Sequence, residues 1–274
     1  MNDRTKRSRG RPRGQAGGVE ASTIQSLDRA IRVLQRLGTA EGLSLSELAS
    51  DLEESPSTLY RVLTTLARHQ MVEFQEATQL WYIGIESFRI GSAFLGRTQL
   101  VEQARIVMRH LMGDTGETAN LGIGEEREVI FVSQVETHEP IRAFFRPGTR
   151  GAIHSSGIGK ALLAHRDGDA VARLFEAGPL PAFTPSTITG REQLAEHLAG
   201  IRSTGWSIDN EEHTIGMRCI AAPIFNEFGE AVAGVSISGP SVRIRPDRDA
   251  DLGLRVRNAA DAITQAIGGR RPGP

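Results

Sequence analysis

The sequence predicts an α+β protein in two parts, a small N-terminal winged helix-turn-helix and a larger C-terminal domain on a mainly antiparallel sheet. Three observations predict it. Between Leu43 and Gly84 two short helical stripes are followed by a hairpin pattern. An arginine-rich arm without apolar periodicity precedes them. From about residue 115 the rhythm changes to short strand-like runs divided by helices and polar turns, the pattern of an α+β sheet domain.

Composition sets the bounds. The chain has 274 residues, 39% hydrophobic and 24% charged, enough to bury a core in each of two domains. No apolar run approaches the roughly 20 residues that span a bilayer. The basic start is not followed by an apolar stretch, so neither a secretion signal nor a membrane partner is expected. Cys219 is the only cysteine, which excludes an intrachain disulfide and favours a cytoplasmic location. Net charge is −1, so the chain is not basic throughout. Residues 1–20 nonetheless hold six cations (Arg4, Lys6, Arg7, Arg9, Arg11 and Arg13) against Asp3 and Glu20, which concentrates any attraction to DNA in the arm and in local patches.

Residues 1–21 are expected to be a disordered basic arm. Within it, Arg9-Gly10-Arg11-Pro12-Arg13 resembles the core of an AT-hook, an extended segment that lies in the narrow minor groove of A·T-rich DNA. The other reading is a solvated tail that touches phosphates only. In both, Arg9, Arg11 and Arg13 are candidate DNA contacts.

Residues 22–84 carry the winged helix-turn-helix. Ile24, Leu27, Ile31 and Leu34 recur at helical spacing and predict a first helix packed under the motif. Ser44 stands three residues before Glu47, a capping box, and Leu45, Leu48, Ala49 and Leu52 form the first stripe. Ser55-Pro56 offers an N-cap with proline at the first helical position, where its missing N–H costs nothing. Leu59, Val62, Leu63 and Leu66 form the second stripe. The opposite face holds Ser57, Thr58, Tyr60, Arg61, Thr64, Thr65 and Arg68, hydroxyls and guanidiniums that suit phosphates and base edges. Ser57, Thr58, Tyr60, Arg61, Thr64 and Arg68 are the candidate contacts to double-stranded DNA. Val72 and Phe74, then Trp81 and Ile83, alternate as a strand pair.

Residues 85–113 read as one linker helix that also pairs chains, with Gly91 and Gly96 weakening its middle. Residues 114–268 form the second domain. Strands are expected over 118–123, 129–135, 141–145, 206–209, 220–225 and 231–238. Helices are expected over 156–165, 169–177, 191–203 and 247–267, with residues 269–274 a disordered tail.

At this point the chain resembles the IclR family of bacterial transcription regulators over residues 22–268. The resemblance rests on LSLSELASDLEESPSTLYRVLTTL and the hairpin ending WYIG, then on His154-Ser-Ser-Gly-Ile-Gly-Lys-Ala-Leu-Leu-Ala164. Asp209-Asn-Glu-Glu212, Gly216-Met-Arg-Cys-Ile-Ala-Ala-Pro223 and Gly234-Val-Ser-Ile-Ser-Gly-Pro240 follow in matching order. The resemblance implies a GAF-like effector domain, a homodimer or homotetramer, and no cofactor beyond a small carboxylate effector. Members answering 2-oxo acids, glyoxylate in particular, look most similar. Carried over residue by residue, the effector site would involve Gly157, Ile158, Asp209, Cys219, Ser236 and Ser238. In two places the chain departs from the pattern. Such members usually have alanine where Ile158 stands, which implies either a narrower pocket or a contact through backbone alone. The wing tip Gln75–Gln79 has no Lys or Arg to meet phosphates.

The chemistry agrees with a small anion. Ser236 and Ser238 are two apart in an expected strand and share a face. Gly157–Lys160 opens a helix whose free N–H groups suit a carboxylate. Cys219 adds a weak donor, and Asp209 would bond a hydrated aldehyde or stay protonated in a dry site. Ordinary strand serines and a buried small thiol are the plain alternative. No catalytic or metal site is expected. Gly234-Val-Ser-Ile-Ser-Gly is not a nucleophile elbow, Gly157-Ile-Gly-Lys160 lacks the upstream glycine of a P-loop, and the seven histidines include no paired metal-binding spacing. The alternatives are a regulator of aromatic or sugar-acid catabolism, or a GAF-like enzyme or sensor with a helical appendage.

Overall fold

The computed structural model describes residues 24–96 and 99–273. They fall into two compact units that divide between Phe94 and Leu95.

The first unit begins with α1 (Gln25–Gly38), α2 (Leu45–Leu52) and α3 (Pro56–Arg68), followed by the hairpin β1 (Val72–Gln75) and β2 (Leu80–Ile83). Local chemistry sets each boundary. The Glu47 N–H donates to Ser44 Oγ at 3.3 Å and the Ser44 N–H donates to Glu47 Oε2 at 2.8 Å, so the capping box is complete. Glu53 ends α2 in the left-handed region at φ 54°. The Thr58 N–H then donates to Ser55 Oγ, opening α3 with Pro56 in its first turn. Leu48, Leu59, Leu63, Val72 and Trp81 meet in one core.

The expected underside of α1 is corrected in part. Leu34 packs half-buried against the core as expected, but Ile24, Leu27 and Ile31 are 65%, 56% and 46% exposed, and the buried residues are Val33 and Leu37. The helix carries two apolar edges, and the pair one turn apart near its C-terminus is the edge that meets α2 and α3. Periodicity alone does not say which edge turns inward.

The expected linker helix is also corrected. Two helices occupy this stretch, α4 (Ile85–Gly96) and α5 (Leu100–Thr115), with Gln99 in the left-handed region at φ 50° between them. α4 is tied to the wing base by Ser87 Oγ, which donates to the Met71 carbonyl at 2.7 Å. α5 buries Leu100, Ala104, Met108 and Leu111 in the core of the second unit. Its apolar residues therefore serve that domain.

The second unit is a six-stranded sheet in the order β5-β4-β3-β8-β7-β6, with every pairing antiparallel. Its strands are β3 (Thr118–Gly124), β4 (Glu128–Val135), β5 (Arg150–Ala152), β6 (Ser207–Asn210), β7 (Met217–Phe225) and β8 (Ala231–Pro240). Its remaining helices are α6 (Gly157–Leu163), α7 (Ala170–Glu176), α8 (Arg191–Thr204) and α9 (Asp249–Ala266). One face of the sheet, with Leu121, Ile220, Val235 and Ile237, packs on α5 and α9. The other, with Val129, Phe131 and Ala221, packs on α6, α7 and α8. Such sandwiching of a sheet between helical layers buries both faces.

Two expectations fail here. Residues 141–145 are not a strand. Pro140 and Pro147 bracket them and lack N–H groups for a ladder. Pairing with β4 resumes only past Pro147, where the Gly148 N–H donates to the Phe131 carbonyl and the Phe131 N–H to that of Thr149. Phe145 instead stacks on Phe131, ring centroids 4.4 Å apart. The tail through Pro272 is anchored. The Gly269 N–H donates to the Thr264 carbonyl, the Arg270 N–H donates to that of Asn226, and Arg271 pairs with Asp261 while lying over the Phe225 ring.

Candidate functional site

In the first unit, Ser57, Tyr60, Arg61, Thr64 and Arg68 are exposed and recur at i, i+3, i+4, i+7 and i+11, so they line one face of α3. Thr58 is half-buried. It lies with Arg61 and Thr65 in a groove against α1, and its hydroxyl accepts a hydrogen bond from Ser55 Oγ at 2.8 Å. It therefore helps start the helix as well as lining its flank. Thr64 Oγ1 donates to the Tyr60 carbonyl at 2.7 Å, which fixes its rotamer and leaves its acceptor lone pairs outward. Arg9, Arg11 and Arg13 lie outside the described residues.

In the second unit the antiparallel register builds the other site. Asp209 pairs with Cys219, Cys219 with Ser238, and Ser238 with Thr118, a row across four strands. Ser207, Ala221, Ser236, Asn120 and Gln134 form the next row on the same face. Asn120 Nδ2 donates to Ser238 Oγ at 3.2 Å, and Gln134 Nε2 donates to Asn120 Oδ1 at 2.8 Å, so the hydroxyl is held from the side.

α6 covers these rows with its first residue. A Cβ on Gly157 would lie 2.9 Å from Cys219 Sγ and 3.3 Å from Ala221 Cβ, so only glycine admits this approach of helix to strand. Ser156 caps the helix by accepting from the Gly159 N–H. The N–H groups of Gly157 and Ile158 lie in the first turn, where a helix offers them no carbonyl partner.

Between them lies a small, partly open cavity of about 80 Å³. Gly157, Asp209, Cys219 and Ser238 line it, walled by Phe131 and Phe145 and bordered by Ser155, Arg150 and His213. Ile158 and Ser236, also expected here, do not line it. The Ile158 side chain is fully buried and points into the core, where it fills the space that the missing side chains of Gly122 and Gly234 leave open. The Ile158 side chain therefore does not narrow this cavity. Ser236 lies one row deeper, fully buried, its hydroxyl beside the Cys219 thiol.

The electrostatics follow from burial. Desolvation pushes the Asp209 carboxyl up to about 7, although Lys160 and the N–H groups of Glu212 and His213 favour its ionised form. Burial, then Asp209, push the Cys219 thiol up to about 11, so it stays protonated at neutral pH. Burial also lowers His154 below its ordinary value, its Nε2 lying 3.0 Å from the Pro181 carbonyl.

Two residues escaped the sequence reading. Lys160, fully buried in α6, forms an ion pair with Glu212, 3% exposed, whose N–H donates to Asp209 Oδ1 at 2.7 Å. A signal existed: only Lys6 and Lys160 are lysines, and Lys160 interrupts an apolar run. The 209–213 segment is clamped from outside, where Thr184 and Thr187 hydroxyls donate to the carbonyls of Glu211 and Glu212.

A wider open cleft of about 990 Å³ shares Arg150, Gly151, Ala152 and His213 with the cavity. Glu125, Glu126 and Glu128 line its wall. Arg127 and Arg150 line the same wall, Arg150 paired with Glu125 and Glu128, so its charges are mixed.

Comparison with known proteins agrees with both halves. Residues 26–76 match the IclR helix-turn-helix domain, and residues 92–265 match the bacterial transcriptional regulator IclR C-terminal domain. The chain is 49% identical to the HTH-type transcriptional regulator BhcR of Paracoccus denitrificans, over 97% of this chain and 96% of that one. It is 36% identical to the transcriptional repressor IclR of Escherichia coli, over 96% and 97%. Among solved structures, the Thermotoga maritima IclR superposes with a TM-score of 0.75 at 28% identity, covering 89% of this chain and 99% of that one. The chain belongs to the IclR family of transcriptional regulators, with a DNA-binding helix-turn-helix and a ligand-binding C-terminal domain.

Proposed function

We propose that this regulator binds promoter DNA through α3 and that a small 2-oxo acid, glyoxylate, controls the binding from the cavity between α6 and the sheet. The observation that carries it is the cavity itself. Its volume of about 80 Å³ is small beside the roughly 150 Å³ of a protein cavity that takes up benzene. A two-carbon acid suits that space better than a benzoate ring does. The lining suits the acid's groups. First-turn N–H groups of α6 and the Ser238 hydroxyl meet a carboxylate. A protonated Asp209 meets a carbonyl or hydrate oxygen as a donor. The family resemblance points to the same acid, and hence to control of two-carbon metabolism.

The DNA-bound species is a dimer or a pair of dimers in this reading, with Ser57–His69 in the major groove of each half-site. The exposed apolar edges of α1 (Ile24, Leu27, Ile31) and α4 (Ile85, Phe88, Ile90) support pairing of chains through the first unit. The basic arm adds minor-groove and phosphate contacts, so affinity falls steeply with salt. The helix-covered antiparallel sheet is consistent with a GAF-like sensor build, and the single cysteine with a cytoplasmic location.

A gel shift on the protein's own upstream DNA tests this, repeated with glyoxylate, pyruvate, glycolate, oxalate and 4-hydroxybenzoate. Glyoxylate alone should alter the shift at micromolar to millimolar levels. A response to the aromatic acid alone would favour the reading of an aromatic-catabolism regulator and overturn the cavity assignment.

A further inference from the structure

We propose that Cys219 captures the effector's aldehyde covalently and reversibly, as a hemithioacetal, inside the cavity. The inference rests on the reading of this cavity as a glyoxylate site and deepens it.

Three placements carry it. Cys219 is half-buried although it lies in an inner strand, and it lines the cavity. Gly157, whose missing Cβ lets the first turn of α6 pack directly against Sγ, lines the same cavity and sets the helix N–H groups beside the thiol. Asp209 is its directly opposed neighbour on β6, within side-chain reach across an antiparallel pair and lining the same cavity. A second, independent feature points to a ligand there. Ser155 is 1% exposed, lines the cavity, and has a buried hydroxyl without a hydrogen-bond partner among the described residues. Buried hydroxyls are normally satisfied, so an orphan facing a cavity marks a place where a polar ligand belongs. Ser155 thus joins Ser238 as a group that orients the bound acid.

The step balances without an oxidant or reductant. The sulfur lone pair forms a bond to the aldehyde carbon, and the π pair of the C=O bond moves to oxygen. The protonated Asp209 carboxyl gives its proton to that oxygen, and the thiol proton replaces it on Asp209. The thiol stays protonated at neutral pH, so a neighbour must take its proton as the bond forms, and a carboxyl near 7 is well matched to both transfers. The reaction reverses along the same path, as an effector that must dissociate requires. It also sets selectivity. Thiols add to aldehydes more readily than to ketones, while glycolate and oxalate offer no carbonyl that adds.

Cys219 is the only cysteine, so Cβ labelling of cysteine with ¹³C in the full-length protein yields a single reporter. On saturation with ¹³C-labelled glyoxylate, the Cβ resonance should leave the free-thiol range for the thioether-like range, and the ligand's C2 should show one bound signal of a carbon joined to both sulfur and oxygen. Glycolate and oxalate should leave Cβ in the thiol range. Cys219→Ala should weaken glyoxylate binding roughly tenfold or more and abolish glyoxylate's advantage over glycolate. The wild-type spectra need no variant to fold. A bound aldehyde or hydrate signal with an unmoved Cβ would overturn the covalent step and leave the effector site standing. No bound signal and no change in the gel shift would overturn both.

Discussion

Lys160 and Glu212, 52 residues apart in the chain, close a buried ion pair that links the first turns of α6 to the segment carrying Asp209. Removing one partner leaves a buried charge uncompensated. Lys160→Met should therefore destabilise the protein by about 3–5 kcal/mol, whereas Lys160→Met with Glu212→Leu should recover most of the loss. Urea unfolding of the two variants compares them. A single variant within about 1 kcal/mol of wild type would show that water reaches the pair.

The Asp209 carboxyl sits at about 7 in the fold against an ordinary 3.8. Between those values the folded chain binds more protons than the unfolded one. Stability from this group is complete at low pH and is lost as pH rises through about 7. Asp209→Asn keeps the oxygen that accepts from the Glu212 N–H and removes the titration. The stability gap should shift in the variant's favour by at most about 1.4 kcal/mol per pH unit across that window. A gap that stays constant from pH 5 to 8 refutes the assignment.

Binding should follow the same proton. An ionised Asp209 repels a carboxylate, so glyoxylate affinity should fall up to about tenfold per pH unit above 7. Lys160, Glu212, His213 and Cys219 also face Asp209 or the cavity, and the Asn variant assigns the slope among them. Calorimetric titrations at several pH values decide it, and a slope that survives in Asp209→Asn belongs to another group.

Ile158 should behave as a core residue. Ile158→Ala should cost about 2–5 kcal/mol of stability, because the side chain fills the space beside Gly122 and Gly234. Glyoxylate affinity of the folded fraction should change less than about twofold, since the side chain does not line the cavity. A large gain or loss in affinity with little change in melting temperature would make the position a specificity determinant instead.

On the DNA side, Arg61→Ala should cost about 1–3 kcal/mol of specific binding, the worth of one bidentate base contact. Arg68→Ala should lower affinity across sequences and reduce the salt slope by about one, as loss of a phosphate contact does. Gel shifts at several salt concentrations separate the two, and an Arg61 variant with unchanged binding to the cognate site removes that contact.

Much of this protein is determined by the sequence alone. Capping groups and stripes are local, so Ser44, Glu47, Ser55 and Pro56 placed the ends of α2 and α3 without help from the rest of the chain. The two-residue period put Ser236 and Ser238 on one face of β8. Tertiary structure decided what lies across from each face. Register alone brought Asp209, Cys219 and Ser238 into one row, and α6 then sent Ile158 inward, away from the cavity. It also turned the Val33–Leu37 edge of α1 inward and joined Lys160 to Glu212. The physical reason is common to these cases. A chain's own periodicity sets which side chains share a face, while the partner that buries the face comes from distant segments whose positions local pattern does not encode.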